Sequence, residues 1–388
     1  MENRLFRYLK ETFFTGKRAA HAQGPFNQKD IGFFSEGAAE LSRRFTSERS
    51  ELKGDYLIRP ELRAGYLLYF LPINFTKAAF VFQQLPKKFW QRPSFRILDL
   101  GCGPATASLA FTNELYDQNP EAEVEIDLID QNKGILKDGQ KLLKGFAEDL
   151  KFSKPLRIQT FPYNVTRLRL KKNYDLIILH HVLNEFSRWG GKERSEWLLP
   201  LLQHHLKAEG LLLAIEPALK RPGRELMSLR DHLLEEGTFR VLSPCLHEEI
   251  CPMLAGTKQD WCHFYVNWQE PEYLKQVDRL LGNENRFLKL SYLLLGWSPA
   301  WKETFPEREK YFRVVSNRMA TRGKTEVILC GKPGRIRATR LDRHRGKNNE
   351  VLDQIARGDL VEIPGFKEKG FTVEGDFRLG PGEIFLKR

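Results

Sequence analysis

The chain has 388 residues, of which 41% are hydrophobic and 12% aromatic, so it can bury sizeable cores and is not a largely disordered protein. A chain of this length is too long for a single hydrophobic core, which predicts two or three domains. Lys and Arg number 62 against 50 Asp and Glu, a net charge of +12. Such a surplus points to a polyanionic partner, either nucleic acid or an anionic membrane, and a protein that is merely basic is the alternative.

The N-terminal stretch "MENRLFRYLKETFFTG" mixes charged and aromatic residues at helical spacing, which predicts an amphipathic helix and no secretory signal. No apolar run approaches the roughly 20 residues that span a bilayer, so we expect no membrane partner. Five cysteines, an odd number, fit a reducing compartment and predict a cytoplasmic protein.

Residues 1–92 are predicted to form a helical N-terminal region, in which Pro60 begins a helix and Pro72 kinks or splits it. From Arg96, strands alternate with helices. The predicted strands are "RILDLGCG", "EVEIDLIDQN", "LRIQTFPYNV", "YDLIILHHVLNEF" and "GLLLAIEPA". This alternation predicts right-handed crossovers and a mostly parallel sheet covered by helices on both faces.

Regular alternation stops at residues 241–285, a predicted cysteine-rich insertion. "RFLKLSYLLLGW" and "KTEVILCG" are predicted to complete the sheet, the second as its last, antiparallel strand beside strand six. The expected domains are therefore 1–92, 93–331 including the insertion, and a basic, β-rich extension at 332–388. The fold class is α/β.

A glycine turn follows the first strand in "ILDLGCGPATASLAF", which contains Asp99, Gly101 and Gly103. Glycines let the backbone lie against a ligand at a helix N-terminus, although the third glycine of a dinucleotide motif is replaced by Thr106. The second strand ends at Asp130, whose carboxylate can accept hydrogen bonds from ribose hydroxyls.

This turn, followed by an acid after strand two, resembles the class I S-adenosylmethionine-dependent methyltransferases, with Ala105 where their turn usually has glycine. The resemblance implies a Rossmann-like, seven-stranded, mostly parallel sheet. It also implies an S-adenosylmethionine site formed by the residues after the first four strands: Asp99, Gly101, Gly103, Asp130, Asn164 and His180. Asn164 contacts adenine or caps a turn.

The acceptor chemistry is not specified by a motif. No cysteine follows strand four to act as the nucleophile of pyrimidine carbon-5 methylation, and "HHVLNEF" is not the Asn/Asp-Pro-Pro-aromatic sequence of amine methylation. The polar groups available as catalytic candidates are His180, His181, Asn184 and Glu185.

Four further cysteines form a second candidate site: Cys245, Cys251, Cys262 and Cys330. Four thiolates can hold tetrahedral zinc or a [4Fe–4S] cluster, but the spacing is neither that of zinc ribbons nor that of ferredoxins. Four unrelated buried cysteines are the alternative. His247 and His263 are expected to support the thiols rather than to replace one, and Cys102 is expected to be a small buried residue.

Five segments together resemble bacterial relatives of the mitochondrial small-ribosomal-subunit methyltransferase-like assembly factors. They are "RPELRAGY", "IEPALKRPGRELMSLRDHLL", "SPCLHEEICPML", "DWCHF" and "VILCGKPGRI". The resemblance implies a protein that binds small-subunit rRNA and holds an iron–sulfur cluster on the four cysteines, with zinc as the alternative. It leaves open whether methyl groups are transferred.

The stretch from Arg313 to Lys347 contains eleven Lys and Arg residues but only two acids. Arginines beside glycines suit phosphates and base edges, which predicts RNA contacts from Arg335, Arg337, Arg340, Arg343 and Arg345. We therefore expect a monomeric, S-adenosylmethionine-dependent RNA methyltransferase-like protein of the small ribosomal subunit. The alternatives are a non-catalytic rRNA-binding assembly factor and a small-molecule methyltransferase.

Overall fold

The computed structural model describes residues 11–12, 26–46, 57, 59–186, 188–235, 237–301, 307–347, 349–363, 374–379 and 385–387. Contacts divide the chain into two compact units, Met1–Val182 with Val266–Leu288 and Leu183–Tyr265 with Lys289–Arg388. Apart from residues 11 and 12, the predicted helix in "MENRLFRYLKETFFTG" lies outside the described residues.

The predicted helical N-terminal region is confirmed in the first unit. Its helices are α1 (Gln28–Thr46), α2 (Pro60–Gly65), α3 (Leu71–Phe82) and α4 (Lys87–Trp90), with a π-helical turn at Tyr66–Phe70 between α2 and α3. Pro60 begins α2, as expected. Pro72 does not end the helix, because the preceding turn widens and the Leu71 N–H donates to the Tyr66 carbonyl.

Helices α1 and α2 cross at two glycines. A Cβ on Gly37 would lie 2.0 Å from the Glu61 carbonyl oxygen, and one on Gly65 would lie 2.5 Å from the Ala38 nitrogen. Only glycine permits backbones to approach this closely. The segment Pro60–Phe82 is long and apolar enough to cross a membrane, but 61% of its most apolar window is buried inside the protein, as in a core helix.

The first unit carries the parallel part of the main sheet: β1 (Ser94–Leu100), β2 (Glu123–Ile129), β3 (Arg157–Phe161) and β4 (Tyr174–His180). Strand β1 pairs in parallel with β2 and β4, and β2 with β3. Helices α5 (Thr106–Gln118) and α6 (Lys133–Leu150) follow β1 and β2. Aromatic contacts join α3 and α4 to α5, including Phe82–Phe111 at 5.7 Å and Trp90–Phe111 at 5.6 Å between ring centroids.

The second unit carries α7 (Gly191–His205), β5 (Leu206–Pro217), α8 (Lys220–Leu234), β6 (Phe239–Ser243), α9 (Pro252–Ala255) and most of β8 (Phe287–Trp297). Strand β7 (Phe264–Asn267) pairs with β8, and α10 (Glu272–Leu281) belongs to the first unit. Strand β8 runs antiparallel to β5 and β6. The strand order 3-2-1-4-5-8-6 confirms the class I methyltransferase-like, mostly parallel sheet.

The prediction that "KTEVILCG" closes this sheet is wrong. The antiparallel strand between β5 and β6 is β8, and the sixth strand, Phe239–Ser243, was not predicted. Lys324–Gly331 is instead β11 of a separate sheet, because it pairs along its whole length with the strand that follows it, Gly334–Leu341. The cysteine-rich insertion therefore lies between β6 and β8.

The second sheet confirms the predicted small β-rich C-terminal part. It contains β9 (Tyr311–Val314), β10 (Met319–Thr321), β11 (Lys324–Gly331), β12 (Gly334–Leu341), β13 (Leu360–Glu362), β14 (Glu374–Leu379) and β15 (Phe385–Lys387). Its order is β14-β12-β11-β9-β13-β15, with β10 beside β11. A core that includes Phe312, Val327, Leu329 and Ile336 lies against it.

A buried polar network ties α10 to the N-terminal region within the first unit. The Tyr69 hydroxyl donates to Asp278 at 2.6 Å, and the Asn283 and Asn285 amides donate to the same hydroxyl at 2.8 and 3.1 Å. Glu270 lies beside Asp278. Burial, then a hydrogen bond to Asp278 and its negative charge, raise the pKa of Glu270 to about 7.

The raised pKa predicts a pH-dependent contribution to stability from Glu270. Because the folded pKa lies above that of the unfolded chain, this contribution is full at acidic pH and is lost as pH rises through about 7. Glu270→Gln keeps a hydrogen-bond donor and does not titrate. In urea unfolding across the range from about pH 5 to 8, the variant should gain stability relative to the wild type as pH rises.

The exposed residue Glu284 provides the matched control, since Glu284→Gln removes the same charge from the same unit. Its effect on the free energy of unfolding should stay nearly constant across the series. A constant difference for Glu270→Gln as well would contradict the raised pKa of Glu270.

Candidate functional site

The turn between β1 and α5 has an unusual backbone. Gly101, Gly103 and Ala105 all have left-handed φ angles, of 64°, 52° and 61°. The Cys102 N–H donates to the Ile129 carbonyl at 3.0 Å, which ties the turn to the end of β2. A left-handed backbone conformation is favourable for glycine and costly for alanine. The turn therefore needs its glycines, and the side chain at Ala105 is small.

Two carboxylates hold this turn from inside the first unit. Asp99 is fully buried and accepts from the Ser108 N–H at 3.2 Å and the Ser108 hydroxyl at 2.6 Å, which fixes the first turn of α5. Asp130 accepts from the Gly103 N–H at 2.9 Å and the Asn132 N–H at 2.8 Å. Burial raises the pKa of Asp99 to about 7 and also raises the pKa of Asp130, against the hydrogen bonds that lower it.

Neighbouring elements close on one side of the turn and leave another open. A Cβ on Gly101 would lie 2.6 Å from the Val182 side chain, whereas the nearest atom to a Cβ on Gly103 would be the Tyr66 hydroxyl at 3.9 Å. On α2, Arg63 forms an ion pair with Asp138 of α6. The "RPELRAGY" segment thus places Tyr66 beside the turn and joins α2 to α6 through Arg63, a role that sequence reasoning did not assign.

Asn164 caps a short turn, as one of the two sequence interpretations proposed. Its side-chain oxygen accepts from the Thr166 N–H at 2.9 Å, and its amide donates to Gln131 at 3.4 Å. Because Gln131 follows Asp130 directly, Asn164 lies at the same carboxyl edge of the sheet as the acid.

His180 ends β4 within the first unit. Its Nε2 is buried and has no hydrogen-bond partner among the described residues. Burial, then the positive charge of Lys77, lower the pKa of His180 to about 3, so its imidazole is neutral at physiological pH. Burial lowers the pKa of Lys77 to about 8. His181 has a left-handed φ of 62°, and its ring lies 4.6 Å from that of His180.

Asn184 and Glu185 lie in the second unit, on a short 3₁₀ turn at Leu183–Glu185. Asn184 is buried and Glu185 is exposed. The buried Arg194 donates to the carbonyl oxygens of Leu183 and Phe186 at 3.2 and 3.1 Å. Arg194 therefore holds the segment that carries both candidates, a positioning role that the sequence did not reveal.

The four candidate metal ligands all belong to the second unit and are free thiols. Cys251, Cys262 and Cys330 pack in one apolar cluster with Met227 and Met253. Burial, then the negative charge of Cys245, raise the pKa of Cys251 to about 12, and the same causes raise the pKa of Cys262 and Cys330. Thiols in such surroundings ionise only where a cation compensates their charge.

Within the part of the chain that the structure describes, no group of three or more His, Cys, Asp or Glu side chains has an arrangement that could hold a metal ion. Cys330 Sγ lies 3.7 Å from His247 Nε2. The chemistry of the four thiols and the clustering of three of them thus fit a metal centre, while the described residues form no ligating geometry.

Two arginines on α8 hold the cysteine-bearing segment. Arg224 donates to the carbonyl oxygens of Thr257 at 2.7 Å, Asp260 at 2.8 Å and Leu254 at 3.2 Å. The buried Arg230 donates to those of His247 and Glu249, both at 2.7 Å. The signal was present in "RELMSLRDHLL", where Arg230 shares the buried face of the helix with apolar residues.

The predicted RNA-contacting arginines have different surroundings. Arg337 and Arg343 are exposed, and Arg345 is 64% exposed beside Asp353. Arg335 forms an ion pair with Asp260 at 3.0 Å. Arg340 is 1% exposed and binds Asp353 at 2.7 Å, because its position in β12 alternates onto the buried face with Ile336 and Ala338. Arg340 therefore has a structural role.

A family model matches most of the chain. The model described as mitochondrial small ribosomal subunit Rsm22 matches residues 61–361. The chain belongs to the Rsm22 family. The matched range includes the glycine turn, the four cysteines and α8. No curated protein sequence matches the chain significantly.

Among the solved structures similar to this Rsm22-family chain are three methyltransferases. A class I S-adenosylmethionine-dependent methyltransferase of Listeria monocytogenes has 13% identity and a TM-score of 0.38, covering 76% of this chain and 87% of its own. An S-adenosylmethionine-dependent methyltransferase of Clostridium acetobutylicum has 9% identity and a TM-score of 0.33, covering 67% and 97%. A ribosomal protein L11 methylase of Lactobacillus delbrueckii subsp. bulgaricus has 12% identity and a TM-score of 0.31, covering 57% and 78%.

Proposed function

We propose that this Rsm22-family protein binds S-adenosylmethionine at the glycine turn and acts on small-subunit rRNA as an RNA methyltransferase-like protein. The observation that carries the proposal is the hydrogen bond from the Gly103 N–H to Asp130, which joins the turn after β1 to the acid after β2. This is the arrangement expected of a nucleoside-binding edge in an open α/β sheet.

The described residues fit the cofactor. Each Asp130 oxygen accepts one backbone hydrogen bond and retains a second acceptor position for a ribose hydroxyl. The open side of Gly103 leaves room for a ligand against the backbone. When bound, S-adenosylmethionine supplies an electrophilic methyl group. The neutral His180 can accept a hydrogen bond at Nε2.

S-adenosylmethionine binding is tested by calorimetry on Asp130→Ala and Gly101→Ala. The first variant removes the proposed ribose acceptor and should weaken binding about 10- to 100-fold, the effect of losing hydrogen bonds to a charged group. The second places a Cβ in contact with Val182 at a left-handed φ and should weaken binding at least as much.

The controls are Asp117→Ala, an exposed acid, and Gly282→Ala, which has a left-handed φ of 67° but open space around its Cβ. Both controls should bind like the wild type. Wild-type affinity in Asp130→Ala and Gly101→Ala would refute the site. Transfer of a tritiated methyl group to small-subunit rRNA then separates an enzyme from a non-catalytic assembly factor, since both bind the cofactor.

We propose further that Cys245, Cys251, Cys262 and Cys330 hold a [4Fe–4S] cluster, with zinc as the alternative. Support comes from the apolar cluster that Cys251, Cys262 and Cys330 share and from the influence of the Cys245 charge on those three thiols. All five cysteines are free, which accords with our proposal of a reducing, cytoplasmic location.

Replacement of any one of these four cysteines by serine should remove most of the metal and lower the melting temperature, because ligation is coupled to folding. Metal analysis and the visible absorption spectrum after anaerobic purification measure this. Cys102→Ser is the control, since Cys102 lies in the glycine turn and should not affect the metal content. Full metal content in Cys330→Ser would contradict the shared centre.

The proposed rRNA partner rests on the family description, on the net charge of +12 and on the exposed basic residues of the second sheet. Phosphate contacts release counterions, so affinity for small-subunit rRNA should fall steeply with salt. Combined replacement by alanine of Arg337, Arg343 and Lys347 should lower the log–log slope by about 0.7 to 0.9 per lost phosphate contact.

Filter binding across a salt series measures the slope. A charge-matched triple variant carries alanine at three exposed positions on other elements, Lys192, Lys275 and Arg279. That control should keep the wild-type slope. Equal slopes in both triple variants would place the RNA surface elsewhere.

A further inference from the structure

An aromatic ladder precedes and enters β7 in the second unit. Trp261, His263 and Tyr265 alternate with Cys262 and Phe264, so the three rings share one face of the extended segment. Phe264 is 2% exposed and faces the core, while the three ladder residues are half-buried. Trp261 packs against the apolar cluster that contains Met227 and Cys251, whereas His263 and Tyr265 keep part of their surface exposed.

The rings lie in series. Trp261 and His263 are stacked, with centroids 5.1 Å apart and planes at 25°, and His263 and Tyr265 follow at 5.7 Å and 52°. The inner end is fixed, because Trp261 Nε1 donates to the Ala218 carbonyl at 3.1 Å. His263 Nδ1 lies 3.1 Å from the Trp261 carbonyl oxygen, which orients the middle ring.

Two cations lie at the outer end of the ladder. The Arg357 guanidinium carbon is 5.7 Å and the Lys289 Nζ 5.6 Å from the centroid of the Tyr265 ring. Lys289 is exposed on β8. Asp260, the acid whose charge acts on Arg357, forms an ion pair with Arg335 at 3.0 Å.

The loop that carries Arg357 is built into the fold. The Gly358 N–H donates to the Val314 carbonyl at 2.8 Å, and Arg313 donates to the Gly358 carbonyl at 2.8 Å. A Cβ on Gly358 would lie 3.3 Å from the Phe264 ring. Arg357 is thus held beside Tyr265 by its backbone.

Arg357 has more donors than this packing satisfies. Its Nε and Nη1 are buried and have no hydrogen-bond acceptor among the described residues, although its side chain also bonds to Tyr265. A buried guanidinium normally has its donors paired, and the missing acceptor suits an anionic oxygen. Ring surface beside two cations and unmet donors is the combination that binds unpaired nucleotides, by base stacking and phosphate contacts.

We propose that His263 and Tyr265 stack on unpaired bases of RNA and that Arg357 and Lys289 hold the adjoining phosphate. This inference rests on the proposed function, since it names the part of the RNA that the protein recognises. Unpaired nucleotides are favoured over a duplex because bases stacked within a helix do not offer their faces to aromatic side chains.

The test compares a fluorescein-labelled 12-nucleotide single-stranded RNA with an RNA hairpin whose nucleotides are almost all paired. Tyr265→Leu should weaken binding of the single strand about 5- to 150-fold, the effect of losing one base–aromatic stack, and leave hairpin binding unchanged. Tyr265→Phe keeps the ring and should retain most of the affinity. Arg357→Gln and Lys289→Gln should each weaken single-strand binding and reduce its salt slope.

Tyr163→Leu is the matched control, because Tyr163 is a 57% exposed aromatic residue of the first unit that lies beside Phe161. Melting temperatures identify variants that fail to fold. If Tyr265→Phe loses as much affinity as Tyr265→Leu, or if both RNAs are weakened equally, the stacking proposal is wrong. Wild-type single-strand binding by Tyr265→Leu and by Arg357→Gln would overturn it as well.

These outcomes are separable from failure of the proposed function. A protein that binds S-adenosylmethionine and small-subunit rRNA while its ladder variants behave like the wild type would contradict the ladder alone. Absence of any RNA binding by the wild type would contradict the proposed function.

Discussion

The hydrogen bonds from two arginines of α8 to five backbone carbonyls are the constraint on which the second unit depends. The segment between β6 and β7 has few backbone hydrogen bonds of its own, and carbonyl oxygens buried without a donor would be costly. Arg224 and Arg230 supply those donors from a rigid helix. The same bonds set the positions of Cys251 and Cys262 and, through Asp260, the start of the aromatic ladder.

In the first unit, carboxylates instead of arginines hold backbone groups in place. Asp99 and Asp130 accept from backbone and hydroxyl donors and thereby fix a turn in which alternate residues are left-handed. Because the groups they hold are N–H donors at the start of α5 and in the turn itself, the site is organised before a ligand arrives. Preorganised polar groups of this kind lose little entropy when a ligand binds.

Charge in this protein therefore has two uses. Arg194, Arg230 and Arg340 are buried, Arg224 is half-buried, and all four hold loops or acids, whereas Arg337, Arg343 and Lys289 are exposed. Only the second group contributes to a surface field that attracts a polyanion. The net charge of +12 consequently counts arginines that cannot contact RNA, and the number of phosphate contacts should be smaller than the number of basic residues.

The sequence by itself determined the order of strands and helices up to β5, the glycine turn with Asp130 and the family motifs, because these are local patterns of apolar spacing and turn residues. It misassigned Lys324–Gly331 to the main sheet and missed β6. Alternation specifies which face of a strand is buried but not which strand lies beside it, and that choice is made by packing between distant segments. For the same reason only the tertiary structure decided that Arg340 is buried against Asp353 and that Arg357 lies beside Tyr265. In each case the partner comes from another element or loop, and local periodicity carries no information about it.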